Sequence, residues 1–207
     1  GKGVYFINAD EKGVGNTVTS WEQGEKQPHS VCVHIIDAPK QRMTQELNIT
    51  VDRADETLSN GKLINYTFND DGKTRTDQWK QTLPAAPYLT MMAVSQFKIV
   101  KDKWRNIDVN YYVDPEYEPY AKQIFGHTPE MLEFFSTKLG VDYAWEKFSQ
   151  VVVHDYVSGA MENTSAVLHG EFLQRNSREL LDNTNEDVIS HELFHQWFGD
   201  LVTCESW

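Results

Sequence analysis

An α+β protein is the fold class this sequence predicts, with a strand-rich part over residues 1–113 and a mixed α/β part over residues 114–207. Three observations predict it. Apolar and polar residues alternate between Thr44 and Val113, glycine-containing turn pairs separate those runs, and helix-start and helix-stop residues appear after Asp114-Pro115.

Leu47, Ile49 and Val51 alternate with polar neighbours, as do Ile64, Tyr66 and Phe68, which is the period of a half-buried strand. Asn60-Gly61 and Asp71-Gly72 supply the positive backbone angles that two-residue hairpins need. The pattern changes after Asp114-Pro115, where the domain boundary is placed. Thr128-Pro129-Glu130 reads as an N-cap followed by a first-turn proline, and Gly140 closes that helix. Val151-Val152-Val153 marks a strand from about Phe148 to Tyr156, and a shorter one is expected over Ala166 to Phe172. A last helix starts near Thr184, whose hydroxyl can cap it, with Glu186 and Asp187 at its positive end and Gly199 as its stop. No internal repeat, low-complexity tract or long linker interrupts the chain.

With 207 residues, 40% of them hydrophobic and 12% aromatic, the chain can bury a sizeable core. No apolar run approaches the roughly 20 residues of a membrane-spanning helix. Gly1 to Asp10 lacks the basic and apolar regions of a secretion signal, so the visible start leaves the compartment open between cytoplasmic and periplasmic or secreted. The net charge of −12 excludes a nucleic-acid partner and reads as a solubilising surface in preference to a cationic-substrate cleft. Cys32 and Cys204 form no CxxC pair and are expected to be buried thiols, not a disulfide or a thiolate metal site.

The chemistry is concentrated near the end. His191-Glu192-Leu193-Phe194-His195 is an HExxH sequence: residues four apart share a helical face, so both imidazoles can reach one Zn2+ while Glu192 takes a proton from metal-bound water. Alone, so short a pattern also fits two stacked surface histidines. Val188, Ile189, Leu193, Phe194, Trp197 and Phe198 predict a largely buried helix, in which two histidines and a glutamate need partners that a metal would supply together. Phe198 and Leu201 stand where a metzincin has glycine and histidine, so a third ligand must come from elsewhere.

Gly159-Ala160-Met161-Glu162-Asn163, preceding the HExxH helix, and the run His195 to Thr203 together resemble the gluzincin aminopeptidases of the aminopeptidase N and leukotriene hydrolase type. Gln23-Gly24-Glu25 followed by Asp37-Ala38-Pro39 resembles the loop these enzymes send into the active site from the N-terminal domain, with His34 where many members have proline.

The resemblance implies a partial, sandwich-like β domain followed by the first half of a thermolysin-like zinc peptidase domain, truncated at both ends. It implies one zinc ion, and removal of N-terminal residues from peptides with a free N-terminus. His191 and His195 are then metal ligands and Glu192 the catalytic base. Glu162 and Glu25 would hold the substrate's protonated amine, with Gln23, Gly159, Ala160, Met161 and Asn163 also lining the substrate site. The strand ending at Tyr156 would lie beside the peptide, and Gly159 has no side chain to obstruct it. In this family the third ligand is a glutamate on the next helix and a tyrosine stabilises the oxyanion, both placed beyond Trp207, so the chain alone is expected to bind zinc weakly and be inactive. Three alternatives stay open: an epoxide hydrolase of the leukotriene hydrolase type, a non-catalytic recognition module of the same fold, and a thermolysin-like endopeptidase.

Overall fold

The computed structural model describes residues 3–7, 19–23, 36, 38–156 and 158–206, with 3–7 and 19–23 described through their strand pairing. The chain forms two compact units, Gly1–Gln96 with Thr203–Trp207, and Phe97–Val202.

The first unit is strand-rich, as its alternating pattern predicts. Its strands are β1 (Gly3–Ile7), β2 (Thr19–Gln23), β3 (Met43–Asp52), β4 (Glu56–Ser59), β5 (Lys62–Phe68), β6 (Thr74–Ala85) and β7 (Met91–Ser95). They make two antiparallel sheets, of order β1-β2-β7-β4 and β3-β6-β5. The sheets are joined through side chains: Thr57 Oγ1 on β4 donates to Asp77 Oδ2 at 2.6 Å and accepts from Trp79 Nε1 at 2.9 Å, both on β6. Leu58, Trp79, Met91 and Ala93 are buried around this junction.

The β3 alternation is as expected: Leu47, Ile49 and Val51 turn inward while Glu46, Asn48 and Thr50 stay exposed. The β5 alternation does not give a half-buried strand, since all seven residues are exposed. β5 is an edge strand with one neighbour. Its aromatic residues find local partners instead, Tyr66 meeting Phe68 edge-on at 5.8 Å and the Arg53 guanidinium lying 4.2 Å from the Phe68 ring centre.

Asn60-Gly61 is not a hairpin turn, because β4 and β5 belong to different sheets. The pair carries the chain from one sheet to the other. A Cβ on Gly61 would lie 2.0 Å from the Lys80 carbonyl oxygen, and the buried Asn60 amide donates to Leu89 O and accepts from Met91 N. Asp71-Gly72 does close the β5–β6 hairpin, through a longer loop: the strands stop at Phe68 and resume at Thr74, and the Asp71 carboxylate accepts from Lys73 N and Thr74 N at 2.8 Å each.

The second unit is mixed α/β. It holds β8 (Lys98–Trp104), β9 (Ile107–Val113), α1 (Ala121–Phe125), α2 (Thr128–Leu139), β10 (Phe148–Val153), β11 (Ala160–Met161), β12 (Ala166–Gly170) and α3 (Glu186–His195). The sheet order is β11-β12-β10-β9-β8, with a parallel centre (β12, β10, β9) and antiparallel edges. Because β9 pairs with β10 and β8 pairs with β9, both strands belong to this sheet, and the compact units divide at Gln96–Phe97, ahead of the composition change at Asp114-Pro115. β10 is buried at every position, as suits a central parallel strand.

Gly140 ends α2 in the left-handed conformation, φ 66°. Thr128 does not cap that helix. It is the first residue inside it, and its hydroxyl donates to Phe125 O at 2.7 Å and accepts from Gln150 Nε2 at 2.9 Å, which ties α2 to the central strand. Nor does Thr184 cap α3, since Asn185, at φ 52°, precedes its first residue. Among the described residues no helix is long and apolar enough to cross a membrane. Cys204 is exposed, against the expectation of a buried thiol, and Cys32 lies outside the described residues.

Candidate active site

α3 places His191 and His195 one turn apart, their Nε2 atoms 3.0 Å from each other. The other ring nitrogen of His195, Nδ1, is 2.9 Å from the Phe198 carbonyl oxygen. A carbonyl only accepts, so Nδ1 carries the proton and Nε2 presents its lone pair. Two nitrogens bound to one tetrahedral zinc at the usual bond length stand about 3.3 Å apart. The pair therefore fits zinc after a movement of a few tenths of an ångström.

Glu192 faces the opposite way from solvent. It is 7% exposed, and its Oε2 has no hydrogen-bond partner. Burial, and then the neighbouring charge of Glu162, push its carboxyl up to about 8. A cation beside both carboxylates would act in the opposite direction, favouring the ionised form. Ligand atoms of Glu162, Glu192 and His195 all lie within 4.8 Å of one another. Three chemically capable side chains thus converge, and His191 adjoins them through His195.

Glu162 arrives from a different part of the unit. It begins the turn that leaves β11 for β12, in which Asn163, Thr164 and Ser165 are all buried and Ser165 takes φ 62°. The turn closes through Ala166 N to Asn163 O at 3.0 Å and is pinned to the start of β10 by Ser149 N to Ser165 O at 3.0 Å. Ala160 and Met161 form the edge strand β11, which among the described residues has β12 as its one strand neighbour. Both edges of β10, which ends at Val153, are taken, by β9 and β12, so in this part of the sheet the edge without a second strand neighbour among the described residues is that of Ala160-Met161. Gly159 is exposed, and a Cβ there would meet nothing within 4 Å. Gln23 ends β2 opposite Met91, while Glu25 lies outside the described residues, as do His34 and Asp37.

The sequence pattern of the Peptidase family M1 domain matches residues 124–207, which contain Glu162 and all of α3. Over that stretch the chain belongs to peptidase family M1. Glutamyl aminopeptidase of Bos taurus is 28% identical over 212 residues, covering 99% of this chain and 22% of the relative. Aminopeptidase 2, mitochondrial, of Saccharomyces cerevisiae is 30% identical over 213 residues, covering 99% and 22%. Tricorn protease-interacting factor F2 of Thermoplasma acidophilum is 26% identical over 210 residues, covering 99% and 25%. The chain spans about a fifth to a quarter of the length of these relatives.

In this M1 chain the HExxH helix is less buried than its apolar residues predict. Ile189, Glu192 and Leu193 are buried, but His191 is exposed, and Phe194 and Phe198 are 37% and 49% exposed. One side of α3 packs on α2, through Phe135 against Phe194 at 5.2 Å, and the His191 side stays open to solvent. The helix also ends at His195, four residues ahead of the glycine read as its stop. Gly199 serves the site in another way. At φ 144° it packs against His195, and a Cβ would sit 3.2 Å from the imidazole Nδ1.

Residues to which the sequence assigned no role support the candidate site. Gln196, 1% exposed, bonds to the Glu162 turn, and Trp145 Nε1 donates to Gln196 O at 3.0 Å. Lys147, also buried, donates from Nζ to Ser165 O at 2.9 Å, and burial lowers its pKa to about 7. Gln196 stands inside a recognisable motif, yet its partner is 34 positions away, and no spacing rule connects them.

Proposed function

We propose that the protein is a zinc-dependent aminopeptidase of family M1, acting on peptides with a free N-terminus. The observation that carries this reading is the approach of the Glu162 carboxylate, the Glu192 carboxylate and the His195 imidazole within 4.8 Å, beside the Nε2 of His191. His191 and His195 are the residues that would hold zinc, which supplies Lewis acidity at this spot when bound. Glu192, at the base of the group, is placed to accept a proton from an attacking water and return it to the leaving amine. Its burial keeps bulk water from competing for that proton.

Glu162 has the complementary task. A half-buried carboxylate on a fixed turn gives a protonated α-amine a charge-assisted hydrogen bond that an acylated nitrogen cannot make. The edge of β11 at Ala160-Met161, without a second strand neighbour among the described residues, offers backbone groups with which an extended peptide can pair, and the bare Gly159 leaves the approach open. Two imidazoles are a sparse set for zinc, so the 207-residue chain alone is expected to hold the ion weakly and turn over poorly.

The test uses the zinc-loaded full-length protein with an aminoacyl arylamide and its N-acetylated counterpart. Glu192→Gln should keep the zinc while kcat falls by about 10²- to 10⁴-fold. Unchanged turnover in that variant, or equal cleavage of the N-acetylated compound by the native protein, refutes the proposal.

A further inference from the structure

Gln196 follows the second histidine directly, and its carboxamide is enclosed by the unit. Nε2 donates to the Glu162 carbonyl oxygen at 3.0 Å, and Oε1 accepts from Ser165 N at 2.8 Å. The Tyr143 hydroxyl approaches the same Oε1 at 3.5 Å, and Trp145 Nε1 holds the Gln196 backbone carbonyl at 3.0 Å. One side chain therefore bonds to the turn as a neighbouring strand would, donating to its first carbonyl and accepting from its last amide. Ligand atoms of Glu162, Glu192 and His195 lie within 4.8 Å of one another, a spacing that persists only if the backbone bearing Glu162 is held to the helix. The chain connection cannot do this, because Glu162 and Gln196 are separated by 34 positions that run through β12, two short helical turns and α3.

We infer that Gln196 is a positioning residue for Glu162: its carboxamide locks the turn 162–165 to the end of α3 and so fixes the amine-binding carboxylate at a set distance from His195. The inference rests on the reading of Glu162 as the amine anchor. It adds a device that determines which substrates are accepted, since the span between anchor and imidazoles sets how far a peptide enters before its first bond is aligned. A displacement of about 1 Å in such an arrangement costs on the order of 10²-fold in rate.

The experiment combines Gln196→Met, Gln196→Glu and Glu162→Gln in the zinc-loaded full-length protein. Gln196→Met removes both bonds at similar volume. Gln196→Glu keeps the acceptor for Ser165 N and loses the donor to Glu162 O. Both should retain zinc stoichiometry and lower kcat/KM for the free-amine arylamide by about 10- to 10²-fold, so that preference for it over the N-acetylated compound falls. Paired with Glu162→Gln, either change should add little, because it acts through a carboxylate already removed. In Gln196→Met, amide hydrogen exchange at Ser165 should quicken while that of the buried α3 amides does not.

If Gln196→Met lowers cleavage of both substrates equally, or its effect adds in full to that of Glu162→Gln, Gln196 is merely structural and the inference is overturned. If Glu162→Gln by itself leaves the preference for the free amine intact, the anchor reading has failed, whatever Gln196 does. Should Gln196→Met fail to fold, Gln196→Glu decides by the same criteria.

Discussion

Replacing Gly199 by alanine should weaken zinc binding at the proposed metal site without replacing either proposed ligand. The residue sits at φ 144°, where an L side chain is strained, and its Cβ would come 3.1 Å from His195 O and 3.2 Å from His195 Nδ1. Backbone strain of this kind costs on the order of 1–3 kcal/mol. At about 4–8 °C per kcal/mol for a unit of roughly 100 residues, the second unit should melt about 4–24 °C lower. The imidazole must also give way by a few tenths of an ångström. That loosens the Nδ1–H bond to Phe198 O, which fixes the ring's tautomer and direction, and losing such an outer bond lowers metal affinity by about 10- to 100-fold. Zinc competition against a chromophoric chelator, in the full-length protein, measures the second effect apart from the first. Gly140→Ala is the control: Gly140 has φ 66° but nothing within 4 Å of a Cβ, so it should cost about 1–2 kcal/mol and leave zinc affinity unchanged. If Gly199→Ala binds zinc as the native protein does, or Gly140→Ala loses affinity equally, the contact with His195 has no functional weight.

One half-buried and one buried basic group give opposite pH slopes. Hydrogen bonding to Asp114, then to Glu171, holds His154 up at about 9 against its ordinary 6.5, so its stabilisation is complete below pH 6.5 and is lost as pH rises through 9. That loss is at most about 3 kcal/mol, and denaturant titrations of His154→Gln across this range should lack it. Lys147 has the reverse sign: burial lowers it from 10.5 to about 7, the unfolded chain binds the proton more tightly between those values, and stability should rise with pH there unless Lys147→Met removes the effect. Phe125, 1% exposed, stacks on Tyr111 at 5.2 Å and tilts against His169 at 5.9 Å, so Phe125→Ala should cost about 3–5 kcal/mol in denaturant unfolding.

Local rules worked where one element's own chemistry decides the outcome. The period of Leu47, Ile49 and Val51 gave β3 and its inward face, and Gly140 gave the end of α2. They misread positions whose partner lies far along the chain. Ile64, Tyr66 and Phe68 alternate like a half-buried strand, but burial requires a second layer, and at this sheet edge all three stay exposed, with Phe68 meeting Arg53 and Tyr66. Asn60-Gly61 has the composition of a hairpin turn and the job of a sheet-to-sheet passage, because the buried Asn60 amide is claimed by Leu89 and Met91.

The sequence by itself determined the chemical inventory of the site. Helical spacing obliges His191 and His195 to share a face, since 3.6 residues per turn leave no alternative, and Glu192 must lie one step round from them. Tertiary structure alone decided what stands opposite. The parallel pairing of β10 with β12 and the antiparallel return of β11 carry Glu162 to the helix, and Gln196 receives it there. Contacts of that range depend on the register of whole strands and on which buried polar groups find each other. Neither is a property of any stretch short enough to read alone.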